Sequence, residues 1–358
     1  MNKLMMKKLF LVVLSFILND LQAQNKPYSL FLIGDAGDDI VQNDVHKTLQ
    51  NHLTENQNGG VVFLGDNIYP RGLDGTKDAE LKLLTQLHTL RNFKGDWFFI
   101  PGNHDWAKGR WKGYKNVIRQ ANYINKFAKD SLNQPNTKHF LPELGLPGPL
   151  TRDLGNNIVL IFTDTDWWLH RSFYHKVGKE EKFKKMDIAY FNRLDSILTA
   201  VEKQGKKSIF LSHHPLVDYG EHGYHKGKSW YYALVNYTPL QGLGLLGVNR
   251  ALNSEMNQPR YMRLADKMYL MLEKHKNVIA VAGHEHNLQV IKRPNSLFLI
   301  SGSGSKLTPL KRKITQKDCL FNASKPGFME LIFEINGKVD LKVWGGDGTL
   351  LNEQKGIF

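Results

Sequence analysis

Five short blocks set Asp, Asn, Tyr and His at the ends of hydrophobic runs. They read Gly34-Asp35-Ala36-Gly37, Gly65-Asp66-Asn67-Ile68-Tyr69, Gly102-Asn103-His104-Asp105, Ser212-His213-His214-Pro215 and Gly283-His284-Glu285-His286. Carboxylates, an amide oxygen and imidazoles form a hard-to-intermediate ligand set suited to Fe, Mn, Zn or Mg. Thiolate-dependent sites are excluded, because Cys319 is the only cysteine in the sequence. The candidate ligands Asp35, Asp66, Tyr69, Asn103, His213, His284 and His286 are too many for one tetrahedral or octahedral ion. Two ions roughly 3.5–4 Å apart, sharing a carboxylate such as Asp66, would accommodate them. Such a pair lowers the pKa of a bound water and clamps the attacking and leaving oxygens of a phosphoryl transfer, so that metal-bound hydroxide attacks without a covalent intermediate.

Strands and helices must bring these blocks together. Each block follows an apolar, β-rich stretch: Ser29 to Ile33, Val61 to Leu64, Trp97 to Ile100, Ile209 to Leu211, and Val278 to Ala282. The polar residues therefore fall just past strand carboxyl ends, where open α/β sheets bind ligands, and are expected along one edge of a sheet. Apolar spacing predicts helices over Asp44 to Glu55, Asp78 to Thr89, Glu181 to Lys203 and Tyr261 to Lys274. Ile158 to Phe162 and Leu297 to Ile300 read as further strands. Phe328 to Ile335 and Val339 to Trp344, joined by Asn336-Gly337-Lys338, read as a hairpin. The pattern is a layered α/β domain with a strand-rich tail and no internal repeat.

The chain has 358 residues, 41% of them hydrophobic, which excludes a disordered or fibrous protein and supports a sizeable core. Residues 1–24 place Lys3, Lys7 and Lys8 ahead of an apolar run from Leu9 to Leu18, with small and polar residues near Ala23. That is the layout of a secretory signal peptide, with an uncleaved anchor as the alternative, and residues 25–358 then form one domain. The expected location is periplasmic or secreted, with no transmembrane segment in the mature chain. One cysteine permits no disulfide within the chain. The formal net charge of +14 favours anionic partners. No zinc finger, RNA-binding signature or aromatic-interleaved basic repeat accompanies it, so small phosphorylated substrates rather than nucleic acid are expected. The oligomeric state has no signature here.

Together the five blocks resemble the calcineurin-like metallophosphoesterase superfamily. Many of its members carry a His two residues after the first Asp, where this chain has Gly37. Asp35-Ala36-Gly37, with Tyr69 three residues after Asp66, is similar to the purple acid phosphatase branch, especially the mammalian-type tartrate-resistant enzymes. The resemblance implies a layered α-β-β-α sandwich with a binuclear site at the carboxyl edge of the strands. It implies Fe(III) held by Asp35, Asp66, Tyr69 and His286, and a divalent Fe, Zn or Mn held by Asp66, Asn103, His213 and His284. It selects His213 over His214, only one of which can face the metal from an extended segment. His104 is a candidate general acid, since a leaving alkoxide needs a proton and imidazole titrates in the useful range. Asp105 is expected to orient His104 through a hydrogen bond, or else to cap a helix. His222, in Gly220-Glu221-His222-Gly223, lies in a segment similar to one carrying a second active-site histidine in the mammalian-type enzymes.

The implied activity is that of an exported acid phosphatase acting on phosphomonoesters. A Mn or Zn phosphodiesterase or nucleotidase of the same fold, and a non-catalytic module keeping the metal site, are the other readings. The segment from Gly223 to Arg260 departs from the small-enzyme pattern and carries Trp230, Tyr231, Tyr232 and Tyr237, which suits either a substrate lid or a surface packing segment. Trp167 and Trp168 suit either the core or the rim of the site. His46, His52, His88, His139, His170, His175, His225 and His275 lie outside any motif and read as packing or surface residues.

Overall fold

A computed structural model describes residues 26–135, 137–169, 180–220, 256, 259–308 and 317–358. The leader, His222 and nearly all of the 223–260 segment lie outside the described residues.

In chain order the strands are β1 (Tyr28–Ile33), β2 (Gly59–Phe63), β3 (Asp96–Phe99), β4 (Leu150–Asp153), β5 (Ile158–Phe162), β6 (Lys207–Leu211), β7 (Val278–Ala282), β8 (Leu288–Lys292), β9 (Ser296–Ser301), β10 (Cys319–Ala323), β11 (Gly327–Phe333), β12 (Val339–Gly345) and β13 (Leu350–Gln354). The helices are α1 (Asp44–Glu55), α2 (Lys77–His88), α3 (Gly113–Leu132), the short α4 (Asp166–Leu169), α5 (Glu180–Lys203) and α6 (Pro259–Glu273). Among the described residues the strands form two mixed sheets, ordered β13-β12-β11-β1-β2-β3 and β10-β8-β9-β7-β6-β5-β4. In the first, β1, β2 and β3 run parallel, and in the second β5, β6, β7 and β9 do.

Period-2 alternation along buried strands builds the layers. In β1, Leu30 and Leu32 enter a cluster with Val62, Leu160, Leu211 and Val281, drawn from both sheets. Phe31 and Ile33 point the opposite way and pack with Val45, Leu49 and Leu53 of α1 and Leu83 and Leu87 of α2. The outer face of the second sheet does the same, with Phe210 and Ala280 against Leu194 and Leu198 of α5 and Met268 and Leu272 of α6. The result is the expected α-β-β-α sandwich. Each fully buried Leu or Phe contributes about 1.5–3 kcal/mol by leaving water, so the strands are held chiefly by these three clusters. Local signals set the helix starts: Asn43 accepts from the His46 N–H and Thr76 from the Ala79 N–H.

Ligand blocks one to three follow β1, β2 and β3, whereas blocks four and five follow β6 and β7. They therefore converge from two sheets rather than along the edge of one. Stacking of the two sheets brings the two sets of carboxyl ends together.

The 20-residue helix α3 has no counterpart among the helices expected from apolar spacing. Its buried face holds Asn116 and Gln120 beside Val117, Ile124 and Ala128, and the two polar side chains dilute the apolar stripe. Trp167 and Trp168 are core residues, with Trp167 stacked on Phe183 at 5.0 Å between ring centroids. Among the described residues no helix is long and apolar enough to cross a membrane.

Candidate metal centre

Backbone strain marks the ligand turns. Asp35, Asp66 and His284 are non-glycine residues with φ of 56°, 52° and 66°, a left-handed conformation that costs free energy and concentrates at functional sites. In each case the strand has just ended and the chain reverses sharply, which swings a short side chain back over the sheet edge.

Asp35, Asp66 and His213 offer ligand atoms that all lie within 4.8 Å of one another. His213 Nδ1–H donates to the Leu64 carbonyl (2.8 Å), because a carbonyl can only accept. That leaves a lone pair on His213 Nε2, which faces Asn103 Oδ1 at 3.0 Å and Asp66 Oδ1 at 3.4 Å. Burial pushes His213 down to about 4, against the pull of Asp66, so the ring is the neutral imidazole that ligation requires. His284 Nδ1 completes the group, 3.3 Å from both His213 Nε2 and Asn103 Oδ1. Asp66, Asn103 and His213 thus present lone pairs to one another, an arrangement that a cation between them would relieve.

A second group adjoins the first through Asp66. The Tyr69 hydroxyl donates to Asp35 Oδ1 (2.8 Å) and lies 3.3 Å from His286 Nε2, which is itself 3.6 Å from Asp35 Oδ1. Burial, reinforced by the charges of Asp35 and Asp66, holds the Tyr69 hydroxyl well above its ordinary pKa. Burial and then the charge of Asp66 push the Asp35 carboxyl up, while burial of Asp66 is outweighed by His213 and His104, which hold it down. Two fully buried carboxylates beside a phenol fit a hard, oxygen-preferring cation. All seven candidate ligands therefore lie in two adjoining groups, one around Asn103 and one around Tyr69.

Gly37 has a steric reason. A Cβ there would fall 2.1 Å from the carbonyl carbon and oxygen of Asn67, and its own carbonyl accepts from the Tyr69 N–H (2.9 Å). The backbone of residues 67–69 fills the space a side chain at position 37 would need, and the same backbone carries Tyr69 to the site.

His214 bonds to Thr165 Oγ1 through Nδ1 (2.8 Å), with its ring packed 4.5 Å from that of His284. His104 Nδ1–H donates to the Pro70 carbonyl (2.8 Å), leaving Nε2 3.8 Å from Asp66 Oδ2 and partly exposed. Its ring lies 4.3 Å from that of Tyr69, and burial lowers its pKa. The expected hydrogen bond from Asp105 to His104 is not made, and Asp105 caps no helix. Asp105 Oδ2 instead accepts from the N–H groups of Gly102 (2.8 Å) and Asn67 (3.2 Å) and from Asn67 Nδ2 (3.0 Å). Adjacent side chains on the turn after β3 point in different directions, so Asp105 ties the second block to the third while Pro70 orients His104. His222 lies outside the described residues.

Sequence reasoning missed a sixth block, Ser301-Gly302-Ser303-Gly304-Ser305-Lys306, at the carboxyl end of β9. It cradles the Asp35 turn, with Gly304 N–H to the Gly34 carbonyl (3.1 Å), and Ser305 N–H (3.0 Å) and Oγ (2.6 Å) to the Asp35 carbonyl. Thr308 Oγ1 lies 3.0 Å from His286 Nδ1 and orients that ring, and Lys306 Nζ sits 4.0 Å from the Tyr69 ring centroid. None of these residues offers a carboxylate or imidazole, but small residues after an apolar strand repeat the signal of the other five blocks.

The model of the calcineurin-like phosphoesterase family matches residues 17–288. The chain belongs to that family. Several solved structures share the fold at low identity. GAP50, described as the anchor in the inner membrane complex of Plasmodium, is 17% identical, with a TM-score of 0.55 over 92% of this chain and 89% of that one. Purple acid phosphatase PPD1 from yellow lupin seeds is 16% identical, with a TM-score of 0.54 over 93% of this chain and 54% of the lupin chain. A dimetal phosphatase from Danio rerio is 13% identical, with a TM-score of 0.50 over 92% and 99% of the two chains. No curated protein matches the sequence.

Proposed function

We propose that this calcineurin-like phosphoesterase is an exported phosphomonoesterase of the purple acid phosphatase type, with Fe(III) beside a divalent Fe, Zn or Mn. Asp35, Asp66, Tyr69 and His286 would hold the ferric ion, and Asp66, Asn103, His213 and His284 the divalent one. The observation that carries this reading is the Tyr69 hydroxyl, buried between Asp35 and His286 at 2.8 and 3.3 Å, where a phenolate would meet a ferric ion. When bound, the pair would supply Lewis acidity and acidify a water for in-line attack on phosphorus.

The protein's own groups account for the remaining work. Asn103 would position the phosphate-facing side of the site, and the Leu64 carbonyl keeps His213 in its ligating tautomer. The Pro70 carbonyl accepts from His104 Nδ1–H and orients the ring, so that the protonated imidazolium would give its Nε2 proton to the leaving alkoxide as the ester P–O bond breaks and be left as the neutral Nδ1–H form. His222 is a second proton-donor candidate on sequence alone. Export rests on the layout of residues 1–24.

A visible absorption spectrum with metal analysis, repeated on Tyr69→Phe, tests the reading. A broad visible band with about one iron per chain, lost in the variant, is expected. A colourless protein loaded with Mn or Zn that prefers bis-esters would replace it with the diesterase or nucleotidase reading. Full metal occupancy without turnover of any phosphate ester would support a non-catalytic module, and GAP50, called an anchor, shares the fold. Amino-terminal sequencing of the protein from fractionated cells tests export, which fails if Met1 is retained in the cytosol.

A further inference from the structure

The segments that follow Tyr69 and His104 in the chain form the walls of a cavity of about 440 Å³. One wall is residues 71–74 and the other runs from Ala107 into the start of α3. Helix α3 fastens them together, with Asn116 Nδ2 donating to the Arg71 carbonyl (2.7 Å) and Arg119 Nη1 to the Leu73 carbonyl (2.7 Å).

The lining is strongly cationic. Arg71, Arg110, Lys112, Lys115 and Arg119 face a single carboxylate, Asp74, which is engaged by the Thr76 N–H (3.0 Å) and hydroxyl (2.7 Å). Among the described residues none of these cations forms an ion pair, whereas Lys126, Lys185, Lys267 and Lys274 each pair with an acid. Helix α3 begins at the cavity with no side-chain cap and no acid in its first turn, so its positive end adds to the same field. Like charges gathered at a concave surface repel one another and focus potential on an anionic ligand.

Position ties the cavity to the reaction. Arg71 follows Pro70, whose carbonyl orients His104, and the Ala107 N–H donates to the His104 carbonyl (2.8 Å). Two peptide steps of at most 3.8 Å each keep the Tyr69-to-Arg71 Cα separation below about 8 Å. That is a span one sugar or one phosphate linkage can cover.

We infer that the cavity binds a second phosphate of the substrate, so that the preferred substrates are small molecules with two or more phosphate groups. One phosphate would sit at the metal centre and another among Arg110, Lys115 and their neighbours. Arg110 offers a planar fork for bidentate phosphate contact and Lys115 a point charge, and the exposed Trp111 at the rim offers an apolar face to the rest of the molecule. The inference rests on the phosphoesterase reading above.

The test compares kcat/KM of the metal-loaded full chain for p-nitrophenyl phosphate, fructose 1,6-bisphosphate and tripolyphosphate, in wild type and in the Arg110→Gln/Lys115→Gln double variant. Wild type is expected to prefer the multiply phosphorylated probes about tenfold or more, and the variant to lose about tenfold of that preference, mainly through KM. Turnover of p-nitrophenyl phosphate with the same probe ratio in both proteins overturns the inference and leaves the phosphatase reading standing. No turnover of any ester overturns the reading, and with it the substrate assignment. If added sulfate alters p-nitrophenyl phosphate turnover in wild type but not in the variant, and no multiphosphate preference exists, the cavity is a free-anion site and the inference falls.

Discussion

Replacing Asp105 with alanine tests whether the second and third ligand loops are held as one unit. Asp105 is fully buried, and its Oδ2 accepts from the backbone N–H groups of Gly102 (2.8 Å) and Asn67 (3.2 Å) and from Asn67 Nδ2 (3.0 Å). Asn67 Nδ2 keeps a second acceptor, the Ile100 carbonyl at 2.8 Å, so the truncation strands chiefly the two backbone donors. A buried donor left without a partner costs about 1–3 kcal/mol, which gives about 2–6 kcal/mol for the pair. Burial, and then the charge of Asp66, push the Asp105 carboxyl up to about 8, so removing it also relieves the cost of burying that carboxyl, and the net loss is expected near the lower half of that range, about 2–4 kcal/mol. Asp105→Asn keeps an acceptor in place and should cost less than half as much. Urea unfolding of the metal-free proteins reads the stability, and isothermal titration with a divalent metal reads the site. Because Asn103 lies on the loosened loop, metal affinity should fall about 10–100-fold in the alanine variant. An alanine variant within about 0.5 kcal/mol of wild type, with unchanged metal affinity, would refute the claim that Asp105 joins the two loops.

Further outcomes follow from the same geometry. His139 stacks on Trp97 at 3.6 Å, donates from Nδ1 to the Trp97 carbonyl (2.9 Å), and is held down to about 4 by burial, as is His46. A folded pKa below the unfolded value of about 6.5 means that the unfolded chain takes up the proton first. Stability should therefore be full above about pH 6.5 and fall by about 3 kcal/mol per histidine as pH drops to 4, and urea midpoints in His139→Gln should show a shallower fall. Gly37→Ala drives a Cβ to 2.1 Å from the Asn67 carbonyl carbon, and should cost about 1–3 kcal/mol in thermal unfolding and reduce the metal content of the purified protein; unchanged values would show that residues 67–69 yield freely. Free divalent metal at about one hundred times its dissociation constant should stabilise the chain by about 2.7 kcal/mol in urea titrations, and the increment should vanish in His213→Ala.

Local chemistry in the sequence determined the elements and the ligand types. Val278–Ala282 and Ile158–Phe162 are strands at the expected residues, because five-residue apolar runs rich in β-branched residues are too short for a helix and favour extended backbone. Asp44–Glu55 is likewise the expected helix, with its cap one residue upstream. The ligand blocks were legible because hard metals demand particular side chains and tight turns demand glycine beside them. Helix α3 was obscured by Asn116 and Gln120, which are buried although polar, Asn116 donating to the Arg71 carbonyl in the wall of the basic cavity. The Ser301 to Lys306 block was obscured because its contribution is made by backbone and hydroxyl groups of a kind most loops possess.

Tertiary structure alone decided relations between residues distant in sequence. Ligand blocks after β1, β2 and β3 meet those after β6 and β7 because two separate sheets stack with their carboxyl edges together, a pairing no local pattern encodes. The direction of Asp105, towards Asn67 rather than His104, depends on a turn whose neighbours come from another strand. Left-handed φ at Asp35, Asp66 and His284, which Asp and His tolerate better than most residues, still needs the surrounding packing to hold it. Residue type sets which atoms can ligate, donate or repel over a few bonds, whereas distance and orientation between such atoms arise only when long-range burial brings the strands into register.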